Sequence, residues 1–244
     1  MLTTPIRLLD SAMISRNVRR LRFVRSDGGS FAYRPGEFVS LHLPDDSGEI
    51  YKRSYSIATV ADNPAAAETL ELVASHVENG KATRWFWQAQ PGAEIAFSGP
   101  HGLLVWPEVL PKRLILIATG TGVAPYRAML KQMQPHLTQG MQVHLLFGVR
   151  DQAEAFYLDD FRAQAQAFPS FQFSLCVSRA AATAPDEYAG RVTDRLQQLN
   201  PQADTDLVYL CGNPAMVDEV FERLKAVGFG VKTVKREKYI FSRA

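Results

Sequence analysis

Leu114–Ala118 is an uninterrupted apolar run that ends on Thr119-Gly120-Thr121-Gly122-Val123-Ala124-Pro125. A strand with no polar alternation must be buried on both faces, which requires helices above and below a parallel sheet. Gly120 and Gly122 let backbone approach a ligand closely, and a helix opening at Pro125 offers free N–H groups to phosphate. Gly120 and Gly122, with the helix start at Pro125, are therefore candidate contacts for a phosphate-bearing ligand. No Lys-Ser/Thr follows, so this is not a Walker loop, and Pro125 holds the last position of a G-x-G-x-x-G fingerprint. A purely structural strand-to-helix turn accounts for the same residues.

The rhythm persists downstream. Gln142–Gly148, Phe171–Val177 and Leu207–Leu210 are further apolar runs, and Pro125–Gln134, Ala153–Ala167 and Pro214–Val227 read as helices. Upstream the chain differs. Asn17–Arg25, Phe38–Leu43, Arg53–Thr59, Thr69–Val77 and Glu94–Ser98 are short strand candidates separated by Pro, Gly, Asn and Asp, as in a β-barrel or sandwich. Phe38–Leu43 alternates best, with Val39, Leu41 and Leu43 on one face. Asp27-Gly28-Gly29 reads as a hairpin-type turn, and Thr83–Gln90 as a short helix with Thr83 as N-cap. Pro107 and Pro111 bracket the change of rhythm, giving an expected β domain over 1–108 and an α/β domain over 109–244.

Composition excludes several classes. A net charge of +2 over 244 residues is too small to mark a nucleic-acid binder. Two cysteines, Cys176 and Cys211, build neither a disulfide scaffold nor a four-thiolate iron–sulfur nest, and no metal site is read. No apolar run approaches the roughly 20 residues of a membrane span. Met1–Asp10 lacks the apolar core of a secretory signal. The expectation is a cytoplasmic protein, with a monomer the simplest case.

Two more motifs carry possible chemistry. In Arg53-Ser54-Tyr55-Ser56 a planar cation for phosphate and an aromatic plate share one strand face, with small hydroxyl donors between them. In Cys211-Gly212-Asn213-Pro214-Ala215-Met216 a thiol ends a buried strand, where ligands of open α/β sheets bind. A buried structural cysteine explains the second motif equally well.

With Gly80-Lys81-Ala82-Thr83 and the tail Glu237-Lys238-Tyr239, these motifs in this order resemble the ferredoxin–NADP reductase family of flavoproteins, over essentially the whole chain. The resemblance implies a six-stranded antiparallel β-barrel binding FAD and a parallel α/β domain binding the pyridine nucleotide. It sets Tyr55 against the isoalloxazine, Arg53 against the pyrophosphate, and Ser56 near flavin N5, where hydride arrives. Ser54, Val73, Ala74, Val77, Gly80, Lys81, Ala82, Thr83 and Thr121 join the implied FAD contacts, and Gly120, Gly122, Val123, Pro125, Gly212, Asn213 and Met216 those of the nucleotide. Cys211 and Glu237 lie nearest the nicotinamide, and the tail returns Tyr239 or Phe241 to the flavin.

In similar bacterial reductases a Ser-Arg and a following Gly-Arg hold the NADP phosphate. Ser178-Arg179 and Gly190-Arg191 match them, Arg150 is a third candidate, and NADP(H) is the implied nucleotide. Lacking a C-x4-C-x2-C segment, the chain would pass electrons to a separate carrier, ferredoxin or flavodoxin. Arg7, Arg16, Arg19, Arg20, Arg22 and Arg25 face one acid, Asp10, within that stretch, a charge pattern that steers acidic carriers. Alternative readings are a free flavin reductase, an oxygenase reductase component and a non-catalytic nucleotide-binding module.

Overall fold

Period-two alternation builds the first sheet of the computed structural model, which describes residues 3–45 and 47–239. Its strands are β1 (Thr4–Met13), β2 (Val18–Arg25), β3 (Phe38–Pro44), β4 (Ile50–Ser56), β5 (Leu70–Ser75) and β6 (Glu94–His101). All are antiparallel, in the order β4-β3-β6-β1-β2-β5. Val39, Leu41 and Leu43 sit in the core as their spacing predicts, beside Ile6, Leu21, Phe23 and Leu72. The end strands meet: Ile57, just past β4, bridges Leu72, and the Ala58 N–H donates to the Glu71 carbonyl at 2.9 Å. A sheet whose ends pair closes into a barrel. Helix α1 (Lys81–Gln88) sends Phe86 into that core.

Two local expectations are corrected. Asp27-Gly28-Gly29 turns the chain but closes no hairpin, because β2 pairs with β1 and β5 and not with the strand that follows. Thr83 is not the N-cap of its helix. Gly80 holds that place, and the Thr83 hydroxyl accepts the Val77 N–H at 3.0 Å.

The second sheet is parallel throughout. Its strands β7 (Arg113–Thr119), β8 (Gln142–Val149), β9 (Phe171–Val177), β10 (Glu187–Ala189), β11 (Asp206–Gly212) and β12 (Val234–Lys238) lie in the order β10-β9-β8-β7-β11-β12. On one face Ile115, Ile117, Leu146 and Leu210 pack with α5 (Val192–Leu199) and α6 (Pro214–Ala226). Elsewhere in this unit α4 (Leu158–Ala167) brings Phe161 to Phe147 and Phe173, with ring centroids 6.5 and 5.4 Å apart. The helix expected from Ala153 begins only at Leu158, because Tyr157 takes a left-handed φ of 60°.

The helix expected over Pro125–Gln134 is two helices, α2 (Ala124–Ala128) and α3 (Leu130–Thr138). Among the described residues, one compact unit comprises those up to Trp106 together with Ala124–Lys131, and the other comprises Pro107–Val123 and residues 132–239. Arg127 explains why α2 groups with the barrel. Its Nη1 donates to the Ala58 carbonyl and to Glu71 Oε1, both at 2.7 Å, with both side chains nearly buried. Among the described residues no helix is long and apolar enough to cross a membrane.

Candidate active site

In the first unit, period two puts Tyr51, Arg53 and Tyr55 on one face of β4, each half-buried. The Arg53 guanidinium lies 5.1 Å from the Tyr51 ring centroid and donates to the Lys52 carbonyl. The Lys81 ammonium lies 5.8 Å from the same ring and pairs with Asp45 at 2.9 Å. Tyr55 meets Phe86 edge-on at 5.1 Å, and burial raises its phenol pKa. Lys81, Ala82 and Thr83 open α1, so their N–H groups have no acceptor within the helix and present its positive end. Beside them a cavity of about 460 Å³ opens between Asp45, Asn79, Lys81, Arg84 and Trp85. Ser54 is exposed and shares a hydrogen bond with Ser40, whereas Ser56 is buried. Val73 and Ala74 alternate along β5, so their side chains leave opposite faces of the strand; Ala74 belongs to the barrel core. Val77 lies beyond the end of that strand.

In the second unit the strand order reverses between β7 and β11, and ligands of open α/β sheets bind in the crevice at such a switch point. Both glycine motifs end there. A side chain on Gly122 would meet the Cys211 carbonyl oxygen at 2.3 Å, and one on Gly212 the Thr119 carbonyl oxygen at 2.5 Å. These glycines let the two strand ends touch. Gly120 differs: its φ is +54° and nothing lies within 4 Å of its missing side chain, so it leaves open space. Thr121, Val123 and Pro125 are buried. Asn213 caps α6, accepting the Ala215 N–H at 2.9 Å, and donates its own N–H to Thr119 Oγ1 at 3.0 Å; Met216 packs in the core beneath.

Parallel register sets Glu237 opposite Cys211, and the Tyr239 N–H donates to the Gly212 carbonyl at 2.8 Å. Cys211 is fully buried. Burial first, and the Glu237 charge second, raise its pKa well above the ordinary thiol value, while a hydrogen bond from the Tyr239 side chain pulls the other way. The sulfur is thus a neutral thiol at physiological pH. The candidate Phe241 lies outside the described residues.

Three adjacent strand ends carry the candidate phosphate cations. Past β8 and β9 the Ser178 N–H donates to the Val149 carbonyl at 3.0 Å and the Arg179 N–H to the Arg150 carbonyl at 2.8 Å, so Arg150 and Arg179 leave neighbouring strands side by side. The Gly190 N–H donates to the Val177 carbonyl, which brings Arg191 to the next strand end. Arg150 pairs with Glu154 at 2.5 Å. The Arg191 N–H donates to Asp194 at the start of α5.

Residues 5–106 match the family of oxidoreductase FAD-binding domains, and residues 116–222 that of oxidoreductase NAD-binding domains. Ferredoxin–NADP reductase B of Sorangium cellulosum is 32% identical over 96% of this chain and 96% of its own length. The chain belongs to the ferredoxin–NADP reductase family. It is thus an FAD- and NAD(P)-dependent oxidoreductase. The reductase component of propane 2-monooxygenase from Mycolicibacterium goodii is also 32% identical, but this chain spans only 60% of its length. Among solved structures, the Amycolatopsis cytochrome P450 reductase GcoB superposes with a TM-score of 0.84 at 29% identity, over 97% of this chain and 69% of that one.

The residues of the first unit fit the flavin a ferredoxin–NADP reductase requires. Tyr51 Oη is buried without a hydrogen-bond partner, beside two cations and a helix N-terminus, a donor set matched to a pyrophosphate. Motif reading overlooks Tyr51, although period two from Arg53 points to it. It also overlooks Glu154, which the four-residue spacing from Arg150 signals.

Proposed function

We propose that this reductase exchanges electrons between NADP(H) and a separate one-electron protein carrier, ferredoxin or flavodoxin. The observation that carries the NADP reading is the set of arginines, 150, 179 and 191, on three neighbouring strand ends, a donor array suited to a 2′-phosphate. Bound FAD would supply the redox chemistry, the exchange between two-electron and one-electron transfer.

The chain's own residues bind and orient. Arg53 and the N–H groups opening α1 hold the flavin pyrophosphate, and Tyr55 covers the ring. Ser56 offers its hydroxyl to the ring edge where the nucleotide reacts. Gly120 lets the dinucleotide backbone come close. Cys211, kept protonated, offers the nicotinamide a neutral, polarisable surface beside Glu237, and Tyr239 anchors the tail over them. Ser178, Arg179 and Arg191 select the 2′-phosphate.

On the carrier side, Asp10 takes Arg20 and Arg22, and Asp27 takes Arg25. The arginines of β2 still outnumber these acids, which supports an acidic carrier, and carrier reduction should slow as ionic strength rises. Two buried free thiols suit a reducing compartment such as the cytoplasm, and a monomer is the proposed state; fractionation and light scattering check these.

The test is stopped-flow kinetics of Arg179→Ala and Arg191→Ala with both nucleotides. Loss of a charge-assisted hydrogen bond costs about 1.5–3 kcal/mol, so kcat/KM for NADPH should fall roughly tenfold or more while that for NADH holds. Equal losses would contradict NADP selection. Faster reduction of free FMN than of ferredoxin or flavodoxin would favour a flavin reductase instead.

A further inference from the structure

Arg150 differs from its two neighbours in carrying a carboxylate. Glu154 closes a single 3-10 turn, Gln152–Glu154, that starts just after β8. Its Oε1 pairs with Arg150 Nη2 at 2.5 Å, and its Oε2 accepts the Arg150 backbone N–H at 3.1 Å. One carboxylate therefore grips both ends of the same residue. The Glu154 side chain is 12% exposed and the Arg150 side chain 54%, so the acid lies beneath the cation and not free in solvent. The Glu154 hydrogen bond, and then its charge, raise the Arg150 pKa. The other two arginines are held differently. Arg191 meets Asp194 through its backbone N–H, which donates to that carboxylate, and Arg179 is fixed by its backbone N–H on the Arg150 carbonyl.

We propose that Glu154 is a specificity-determining residue: by holding Arg150 in an ion pair, it withholds one of three cations from the 2′-phosphate and so narrows the preference for NADP(H) over NAD(H). The inference rests on the NADP reading above. A dianionic phosphate approaching Arg150 must either share the guanidinium with a carboxylate or displace it, and the neighbouring negative charge opposes both. Guanidinium has five donors, so Nε and Nη1 remain for a ligand, but the local charge they project is offset. A nucleotide lacking the 2′-phosphate meets no such opposition. Glu154 thus acts on one substrate and not on the other.

Isothermal titration of the FAD-loaded full-length chain with 2′-phospho-AMP and with 5′-AMP tests this without turnover. With no carboxylate competing for Arg150, Glu154→Gln should tighten 2′-phospho-AMP binding about fivefold and leave 5′-AMP unchanged. The pair should also be non-additive. Arg150→Ala costs about twofold or less in the wild-type background, and the gain from Glu154→Gln vanishes once Arg150 is absent. Unchanged or weaker 2′-phospho-AMP binding in Glu154→Gln, tightening of both ligands alike, or a gain that survives Arg150→Ala would each overturn the assignment. Arg179→Ala with Arg191→Ala separates the underlying reading. If that double variant discriminates against 2′-phospho-AMP while Glu154→Gln does nothing, the proposal fails alone. If the double variant binds both ligands as wild type does, the NADP reading fails and the proposal with it.

Discussion

Replacing Arg127 by Met should destabilise the first unit by about 3 kcal/mol, because it takes a charged hydrogen-bond donor from a nearly buried carboxylate, Glu71. The two side chains are 14% and 11% exposed, and Arg127 Nη1 sits 2.7 Å from both Glu71 Oε1 and the Ala58 carbonyl. Removing one member of a buried pair costs about 3–5 kcal/mol, and residual exposure argues for the lower end. For a chain of this size roughly 2–4 °C of Tm accompanies each kcal/mol, so the first unit should melt about 6–12 °C lower. The assay is selective. All three tryptophans, 85, 87 and 106, lie in the unit that contains Arg127, so tryptophan fluorescence during urea or thermal unfolding reports on it. Adding Glu71→Leu to Arg127→Met removes the buried carboxylate as well and should return stability to within about 1–2 kcal/mol of wild type. A single variant within 0.5 kcal/mol of wild type, or a double variant as unstable as the single, would refute the idea that this pair fixes α2 to the barrel.

Gly122→Ala should destabilise the second unit by about 1–3 kcal/mol, since its side chain would strike the Cys211 carbonyl, backbone that cannot swing away; faster amide exchange in β11 reports it. His144, buried in β8, has its pKa lowered to about 4, by burial first and by Arg113 and Arg195 second. Between pH 6.5 and 4 the unfolded chain binds the proton that the folded chain refuses. This contribution is complete above pH 6.5 and shrinks by up to about 3 kcal/mol as pH falls to 4, and His144→Gln should flatten that limb of a stability–pH curve. Arg53→Gln should raise the FAD dissociation constant roughly tenfold or more, read as flavin released on dialysis, with the barrel's melting in the absence of FAD unchanged.

How much of this is legible from residues alone depends on whether local pattern and tertiary role agree. They agree at β3, where Val39, Leu41 and Leu43 alternate into the core, and at β7, whose apolar run is buried on both faces. They disagree at β1, where a bulge between Leu8 and Asp10 shifts the alternation, and at β12, an edge strand of Val-Lys-Arg-Glu-Lys whose charges hide its strand character. Helix α5 escapes because Arg191 stands at the N-cap, where Ser, Thr, Asp or Asn would be the usual signal. At the candidate site the glycines are conspicuous, but their spacing cannot separate Gly120, which leaves room, from Gly122 and Gly212, which let two strand ends touch. That distinction depends on strands about ninety residues apart in sequence meeting at a switch point. Ion pairs are equally hidden: Asp45 with Lys81 and Glu71 with Arg127 join residues far apart along the chain.

The central claim is that one chain binds FAD and reduces it with a pyridine nucleotide. Anaerobic titration of the purified full-length protein with NADPH, followed by flavin absorbance, tests it most directly. The account predicts about one FAD per chain, bleached by one equivalent of NADPH and restored by an oxidised carrier. A chain that folds in the presence of excess FAD yet retains none, or whose bound flavin NADPH leaves oxidised, would contradict it.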